Sequence, residues 1–172
     1  MRARVFALNF AYTEETKVEI ERKFLVKKEN LPRNLKQYPR KVIQQGYLCT
    51  DPVVRIRQSN DSYYLTYKSR GLLAREEYNL PLTKEAYEHL LSKIDGRLIK
   101  KKRYMLPLGE FTNDPLGLTI ELDLFEGDLA PLLLAEVEFP DEPSANAFTP
   151  PSWFEEDVTF SGKYHNSYLS LK

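Results

Sequence analysis

Most of the chain consists of short runs in which apolar and polar residues alternate. A period of two is typical of a β-strand with one face against the core. Pro, Gly, Asn, Asp and Ser fall between the runs, as expected of turns. Eight runs fit this pattern, and we predict strands at 18–26, 42–49, 53–60, 62–69, 74–80, 98–105, 118–125 and 132–139. The short gaps between several of them favour antiparallel neighbours.

One segment has helical periodicity instead. Thr83 has the position of an N-cap, apolar residues then recur at helical spacing, and Asp95-Gly96 is predicted to end the helix. Two shorter helices are predicted within 142–148 and within the C-terminal 162–172. Many strands with few helices predict an α+β domain that is mainly β and is built on a large antiparallel sheet.

Composition narrows the class of protein. The 172 residues suit one domain, placed at 18–172, with residues 1–17 as an extra N-terminal segment. The 25 basic and 25 acidic residues give no net charge, which argues against binding nucleic acid by bulk electrostatics. The single cysteine, Cys49, excludes an internal disulfide, and no apolar run is long enough to span a membrane. A cytoplasmic location is therefore expected.

The polar faces of the predicted strands carry segregated charge. In "VEIERKFLV" (18–26), alternation places two carboxylates and an ammonium on one face, with Val18, Ile20 and Phe24 on the other, outward face together with Arg22. Exposure of one sheet face to solvent would explain the polar residues of any single strand. A solvent-exposed face, however, usually mixes both signs of charge. The acids on these faces are Glu19, Glu21, Glu121, Asp123, Glu136 and Glu138, and the bases are Lys23, Arg55, Arg57, Lys68, Arg75, Lys101 and Arg103.

This segregation has a chemical interpretation. Like charges two residues apart on a strand lie about 6.6 Å from each other and repel, so a group of opposite charge between them is favoured. If the sheet closes with the charged faces inward, carboxylates suit Mg²⁺ or Mn²⁺, and Arg and Lys suit phosphate oxygens. Acids for a metal and bases for an anionic chain together predict a polyphosphate site.

The same residues carry a family resemblance. The stretch 18–26 resembles the ExExK signature of the CYTH, or triphosphate tunnel metalloenzyme, superfamily, although here it lies further from the N-terminus than is usual in that family. The resemblance is closest to short bacterial members that hydrolyse inorganic tripolyphosphate. Further matching motifs follow in the family's order: "QQGYL" (44–48), "RIR" (55–57), "LTYKS" (65–69), "REEY" (75–78), "KKRY" (101–104), "ELDLF" (121–125), "AEVEF" (135–139) and "KYHNSYL" (163–169).

The resemblance implies an eight-stranded antiparallel β-barrel around a tunnel, with a few helices packed outside. It also implies metal-dependent hydrolysis of a triphosphate, first of all tripolyphosphate to pyrophosphate and phosphate, by in-line attack of a metal-activated water. Mg²⁺ or Mn²⁺ would be the cofactor, with two ions present when substrate is bound. The partner would be this small molecule, with no nucleic acid and no membrane, and the chain would be a monomer or a homodimer.

Residue roles follow from the resemblance by position. Glu21, Glu138 and Lys23 are the predicted catalytic residues. The implied metal ligands are Glu19, Glu21, Glu136 and Glu138, with support from Glu121 and Asp123. The implied phosphate-binding residues are Lys23, Arg55, Arg57, Lys68, Arg75, Lys101, Arg103 and Lys163.

Alternatives remain at this point. Adenylate cyclase and thiamine or nucleoside triphosphatase would use the same grip on the triphosphate, and a non-catalytic module could bind polyphosphate or a nucleotide. The intact acidic pairs argue against the last. His89 and His165 are expected to be solvated, Trp153 is expected to be a packing residue, and Tyr47 could face either the tunnel or the core.

Overall fold

Eight antiparallel strands close into one barrel in the computed structural model, which describes the backbone of residues 17–70 and 74–171 and the side chains of 18–70 and 76–171. Every predicted strand is present, and the order around the barrel is β1-β5-β4-β3-β2-β6-β7-β8. The predicted N-terminal segment, apart from residue 17, lies outside the described residues. The strands are β1 (Lys17–Leu25), β2 (Arg40–Thr50), β3 (Val53–Ser59), β4 (Ser62–Lys68), β5 (Ala74–Pro81), β6 (Asp95–Pro107), β7 (Thr119–Phe125) and β8 (Leu133–Glu138).

Three helices lie where the sequence predicts them: α1 (Lys84–Leu91), α2 (Glu142–Ala147) and α3 (Asn166–Leu169). The Thr83 side chain caps α1 by accepting a hydrogen bond from the backbone N–H of Ala86 at 3.2 Å. None of the helices in the described part of the chain is long and apolar enough to cross a membrane.

The predicted end of α1 is wrong. The helix stops at Leu91, and Asp95 and Gly96 instead begin β6. Gly96 has a φ of +68°, and a Cβ there would lie 2.1 Å from the carbonyl oxygen of Ser170. Its neighbour Arg97 donates a backbone hydrogen bond to that same oxygen at 2.8 Å. The glycine thus marks the docking of the C-terminal turn rather than a helix cap.

Strand β1 closes the barrel with a different neighbour along each half. Residues 17–20 pair with β5, whereas residues 21–25 pair with β8. On the side where β5 no longer pairs, residues 155–159 lie against β1. There the backbone N–H of Leu25 donates to the carbonyl oxygen of Glu156 at 2.9 Å. The C-terminal part of the chain therefore completes the wall that the first strand begins.

The apolar faces of the strands point away from the barrel interior, as the sequence predicts. Ile20 and Phe24 of β1 are buried in a core that covers β1, β6, β7 and β8 from outside, beneath α2 and the 148–154 segment. The sequence also predicts that Val18 packs beneath the helices with Ile20 and Phe24, but Val18 is 52% exposed. The covering core begins only at Ile20. Trp153 packs edge-on against Phe154, in the packing role predicted for it.

A second apolar cluster fills one part of the barrel interior. Phe125 at the end of β7, Leu134 near the start of β8 and Ile99 of β6 pack together, and Leu169 of α3 packs against them. With this part filled, the space left inside the barrel lies among the charged residues.

Candidate functional site

A charged cavity of about 660 Å³, its mouth included, occupies the rest of the barrel interior. Its lining is mostly polar because the inward positions of the strands carry the segregated acids and bases. Ten of the residues predicted from sequence line it: Glu19, Glu21, Lys23, Arg55, Arg57, Lys68, Arg103, Glu121, Glu136 and Glu138.

Four predicted residues are placed differently. Lys101 and Asp123 point inward but lie beneath the cavity surface, where both side chains are fully buried and Nζ lies 2.5 Å from Oδ2. Lys163 is exposed in a 3₁₀ turn and does not line the cavity. The backbone of Arg75 pairs with that of Glu19 across β5 and β1, and its side chain lies outside the described part.

Several lining residues were absent from the predicted set. Glu77 shares a strand face with Arg75 in "REEY", so alternation alone could have identified it. Tyr47, which the sequence left open, lines the cavity. His165 was expected at the surface but lines the cavity together with Asn166 and Ser167. No strand periodicity marks this C-terminal stretch, and the motif "KYHNSYL" that pointed to it gave Lys163, not these three residues, as the site residue.

Lys23 of β1 links an acid of its own strand to an acid of the adjacent strand β8. Its Nζ lies 2.8 Å from Glu136 Oε1 and 3.4 Å from Glu21 Oε1. Burial by itself would raise the pKa of Glu136, but Lys23, Arg103 and Lys101 together hold that pKa well below its usual value. Glu136 is therefore a carboxylate at neutral pH, and both of its oxygens are paired with cations.

Arg103 is surrounded by acids. Its Nε lies 2.7 Å from Asp123 Oδ1, and its Nη2 lies 2.5 Å from Glu136 Oε2, while Nη1 contacts Glu121. Burial would lower the pKa of Arg103, but Asp123 and Glu136 outweigh it and raise that pKa. The guanidinium is thus a fixed charge on the cavity floor.

Lys68 of β4 is also paired, with Glu19 at 2.6 Å and with Glu77 at 2.5 Å. All three side chains are largely buried. This cluster links β1, β4 and β5 and mirrors the cluster around Lys23 on the opposite side of β1.

Arg55 and Arg57 of β3 are held by neutral groups instead. Arg55 Nη2 donates to the Thr66 hydroxyl oxygen at 3.1 Å, and Arg57 Nε donates to Gln45 Oε1 at 3.2 Å. Among the described side chains, no carboxylate forms an ion pair with either arginine. Burial, together with repulsion from Arg55 and Arg103, lowers the pKa of Arg57 to about 9. This pair of cations has the charge and the hydrogen-bond donors to hold an anion.

The carboxylates of the cavity fit a divalent cation by their chemistry, since Mg²⁺ and Mn²⁺ prefer hard oxygen ligands. Glu19, Glu21, Glu136 and Glu138 come from the adjacent, paired strands β1 and β8. Within the described residues, no three Asp, Glu, His or Cys side chains are arranged around one point as a formed metal site. Lysine and arginine contact several of these acids, so a cation would have to replace them.

The sequence and the fold are both similar to those of known proteins of one family. The profile of the CYTH domain matches residues 17–152. An inorganic triphosphatase of Nitrosomonas europaea is 43% identical over 157 residues, which cover 89% of this chain and 97% of that protein. An inorganic triphosphatase of Acetivibrio thermocellus is 36% identical, covering 88% and 92%. A crystal structure of an inorganic triphosphatase matches with a TM-score of 0.64 and 39% identity, over 90% of this chain and 95% of the other.

Proposed function

Because the chain belongs to the CYTH domain family, we propose that it is a phosphohydrolase that cleaves the anhydride bond of a triphosphate, with inorganic tripolyphosphate as its substrate. The observation that carries the proposal is a pair of guanidiniums, the buried Arg55 and the half-buried Arg57, which no described carboxylate neutralises. They line the same cavity as the acids of the paired strands β1 and β8. Two relatives that match over most of their length are inorganic triphosphatases, which supports the choice of substrate.

The residues divide into two groups by what they bind. Arg55, Arg57, Lys68 and Arg103 would contact the phosphate oxygens, since guanidinium forks match that geometry. Glu19, Glu21, Glu136 and Glu138 would hold Mg²⁺ or Mn²⁺. When bound, such a cation offsets the charge of the triphosphate and makes water more acidic. Two ions would suit the number of carboxylates available.

The chemical step needs no nucleophilic side chain. A water oxygen attacks the terminal phosphorus in line with the bridging oxygen, one P–O bond forms and one breaks, and the products are phosphate and pyrophosphate. Glu21 or Glu138 would accept the proton of the water. Lys23, held between Glu21 and Glu136, would stabilise the negative charge that develops on the oxygens of the transferred group.

Tripolyphosphate is favoured over an organic triphosphate by the cavity lining. Tyr47 is an aromatic side chain there, but it is only 2% exposed and packs in the apolar cluster with Ile99, so it offers little ring surface for stacking on a base. Adenylate cyclase and thiamine or nucleoside triphosphatase remain the alternatives. A phosphate-release panel with tripolyphosphate, ATP, thiamine triphosphate and longer polyphosphate, each with Mg²⁺ or Mn²⁺, would separate them. Cyclic AMP formation from ATP would favour the cyclase.

The role of β1 can be tested by changing one carboxylate. Glu21→Gln keeps the size of the side chain but removes a charge that would hold the cation or accept the proton. We expect phosphate release from tripolyphosphate to fall by about 100-fold or more. Glu88→Gln, on the exposed face of α1, is the matched control and should retain full activity. Undiminished turnover in Glu21→Gln would contradict the catalytic role proposed for the β1 carboxylate.

A further inference from the structure

The two arginines without carboxylate partners are held by side chains that are themselves completely buried. Thr66 and Gln45 are both 0% exposed, and each presents an oxygen to one guanidinium, Thr66 to Arg55 and Gln45 to Arg57. Neither acceptor was identified from the sequence as part of the site. Buried polar side chains at such positions are there to satisfy specific hydrogen bonds.

Each acceptor is fixed by a second hydrogen bond. The Thr66 hydroxyl donates its single proton to Asn79 Oδ1 at 2.6 Å, so its oxygen is left to accept from Arg55. Gln45 Nε2 donates to the Tyr47 hydroxyl at 3.2 Å, which directs Oε1 of the same amide towards Arg57. The orientation of both guanidiniums is therefore determined by the wall and does not require a bound anion.

The neutrality of these acceptors distinguishes them from the rest of the cavity. Lys23, Lys68 and Arg103 are each held by carboxylates, which offset their charge. A neutral oxygen orients a guanidinium but leaves its whole positive charge in place. The β3 side of the cavity therefore keeps positive charge that the β1 and β8 sides do not.

We propose that Gln45 and Thr66 are positioning residues that orient Arg57 and Arg55 for the phosphate chain while leaving the charge of both arginines available to it. This proposal rests on the proposed function for the identity of the anion. It predicts that the neutrality of position 45, and not only its hydrogen bond, determines affinity.

Two substitutions at position 45 separate charge from packing. Gln45→Glu is nearly isosteric and places a carboxylate on Arg57, so it should leave the melting temperature unchanged or raised, yet increase KM for tripolyphosphate by about tenfold or more. Gln45→Met removes the acceptor without adding charge and should increase KM by less. A purely structural role predicts the opposite order, with Gln45→Glu the milder change. That order, or a KM for Gln45→Glu near the wild-type value, would overturn the proposal.

A control variant and a binding measurement accompany the two substitutions at position 45. Gln44→Glu adds the same charge on the adjacent, outward position of β2 and should leave KM unchanged. Binding of tripolyphosphate without added metal, measured by calorimetry, should show the same order of variants. Since this measurement does not depend on turnover, a protein that binds tripolyphosphate but fails to hydrolyse it would contradict the proposed function alone.

Substitutions of Thr66 test the proposal independently at Arg55. This test remains available if Gln45→Glu does not fold. Thr66→Val keeps the volume and removes the acceptor, so tripolyphosphate should bind roughly tenfold more weakly. Thr66→Ser restores the hydroxyl and should recover most of the affinity. Equal losses in the Val and Ser variants would show that the hydroxyl does not restore affinity, and would overturn the role given to Thr66.

Discussion

At the scale of single residues, the ion pair of Lys101 and Asp123 shows how the site is supported from beneath. Both side chains are completely buried, and the same carboxylate also accepts two hydrogen bonds from Arg103, at 2.7 and 2.6 Å. Asp123 thus compensates two cations in a place that water does not reach. Arg103 remains at the cavity floor because this carboxylate holds it there.

Removing that carboxylate should be costly. Asp123→Asn leaves two buried cations with one charge fewer to offset them, and we expect the free energy of unfolding to fall by about 3–5 kcal/mol. Urea unfolding would measure it. Lys102 and Glu126 are also 2.5 Å apart but each is 40% exposed, so Glu126→Gln should cost less than about 1 kcal/mol. Similar losses in both variants would contradict the role of burial.

The same residues show what could and could not be predicted from the sequence. Strand alternation gives the face on which a side chain lies, so it correctly placed Glu21, Arg55 and Glu136 inside the barrel. It does not give depth along the strand, and so it could not separate Lys101 and Asp123, beneath the cavity, from Arg103 at its surface. Depth depends on how neighbouring strands are staggered, which is a property of the closed barrel.

At the scale of elements, strand β2 depends on a close contact with the segment that leads into β6. A Cβ placed on Gly46 would lie 2.6 Å from Ile94 Cγ2 and 3.1 Å from Ile94 Cβ. The register of β2 against β6 shifts at this point, between Gln45 and Tyr47. Gly46 therefore allows Ile94 to pack directly on the strand that carries Gln45 and Tyr47 on its inward face.

This contact predicts a compensating pair of substitutions. Gly46→Ala should lower the free energy of unfolding by about 1–3 kcal/mol through overpacking, and the loss should be smaller in an Ile94→Ala background. Thermal or urea unfolding of the single and double variants would measure the coupling. Gly162→Ala, where a Cβ meets nothing within 4 Å, is the control. Strictly additive losses would mean that the two residues do not compete for space.

Element boundaries were predictable only where the cause is local. The start of α1 follows from the Thr83 cap, which is encoded within four residues. The helix end was not predictable, because Gly96 serves a contact with Ser170, more than 70 residues away in the chain. In the same way, the C-terminal stretch around His165 has no periodic signal of its own and takes its place by docking on the barrel.

At the scale of the whole molecule, a chain with no net charge holds a locally uncompensated pair of cations. An anion that binds the folded cavity and not the unfolded chain should stabilise the fold. At a tripolyphosphate concentration of about 100 times Kd, the melting temperature should rise by roughly 5–10 °C without metal. Arg57→Met should lose most of this shift, whereas Lys100→Met, on the exposed outer face of β6, should keep it. An equal shift in Arg57→Met would place the anion elsewhere.

The divided pairing of β1 has a consequence for how the chain folds. The first described strand finds its partners at β5, at β8 and at residues 155–159, so part of its edge must wait until residue 159 has left the ribosome. Contacts of such long sequence separation form slowly. Until they form, Glu19 faces water instead of Lys68, and Lys23 lacks Glu136, so the paired charges of the cavity are among the last groups to be enclosed.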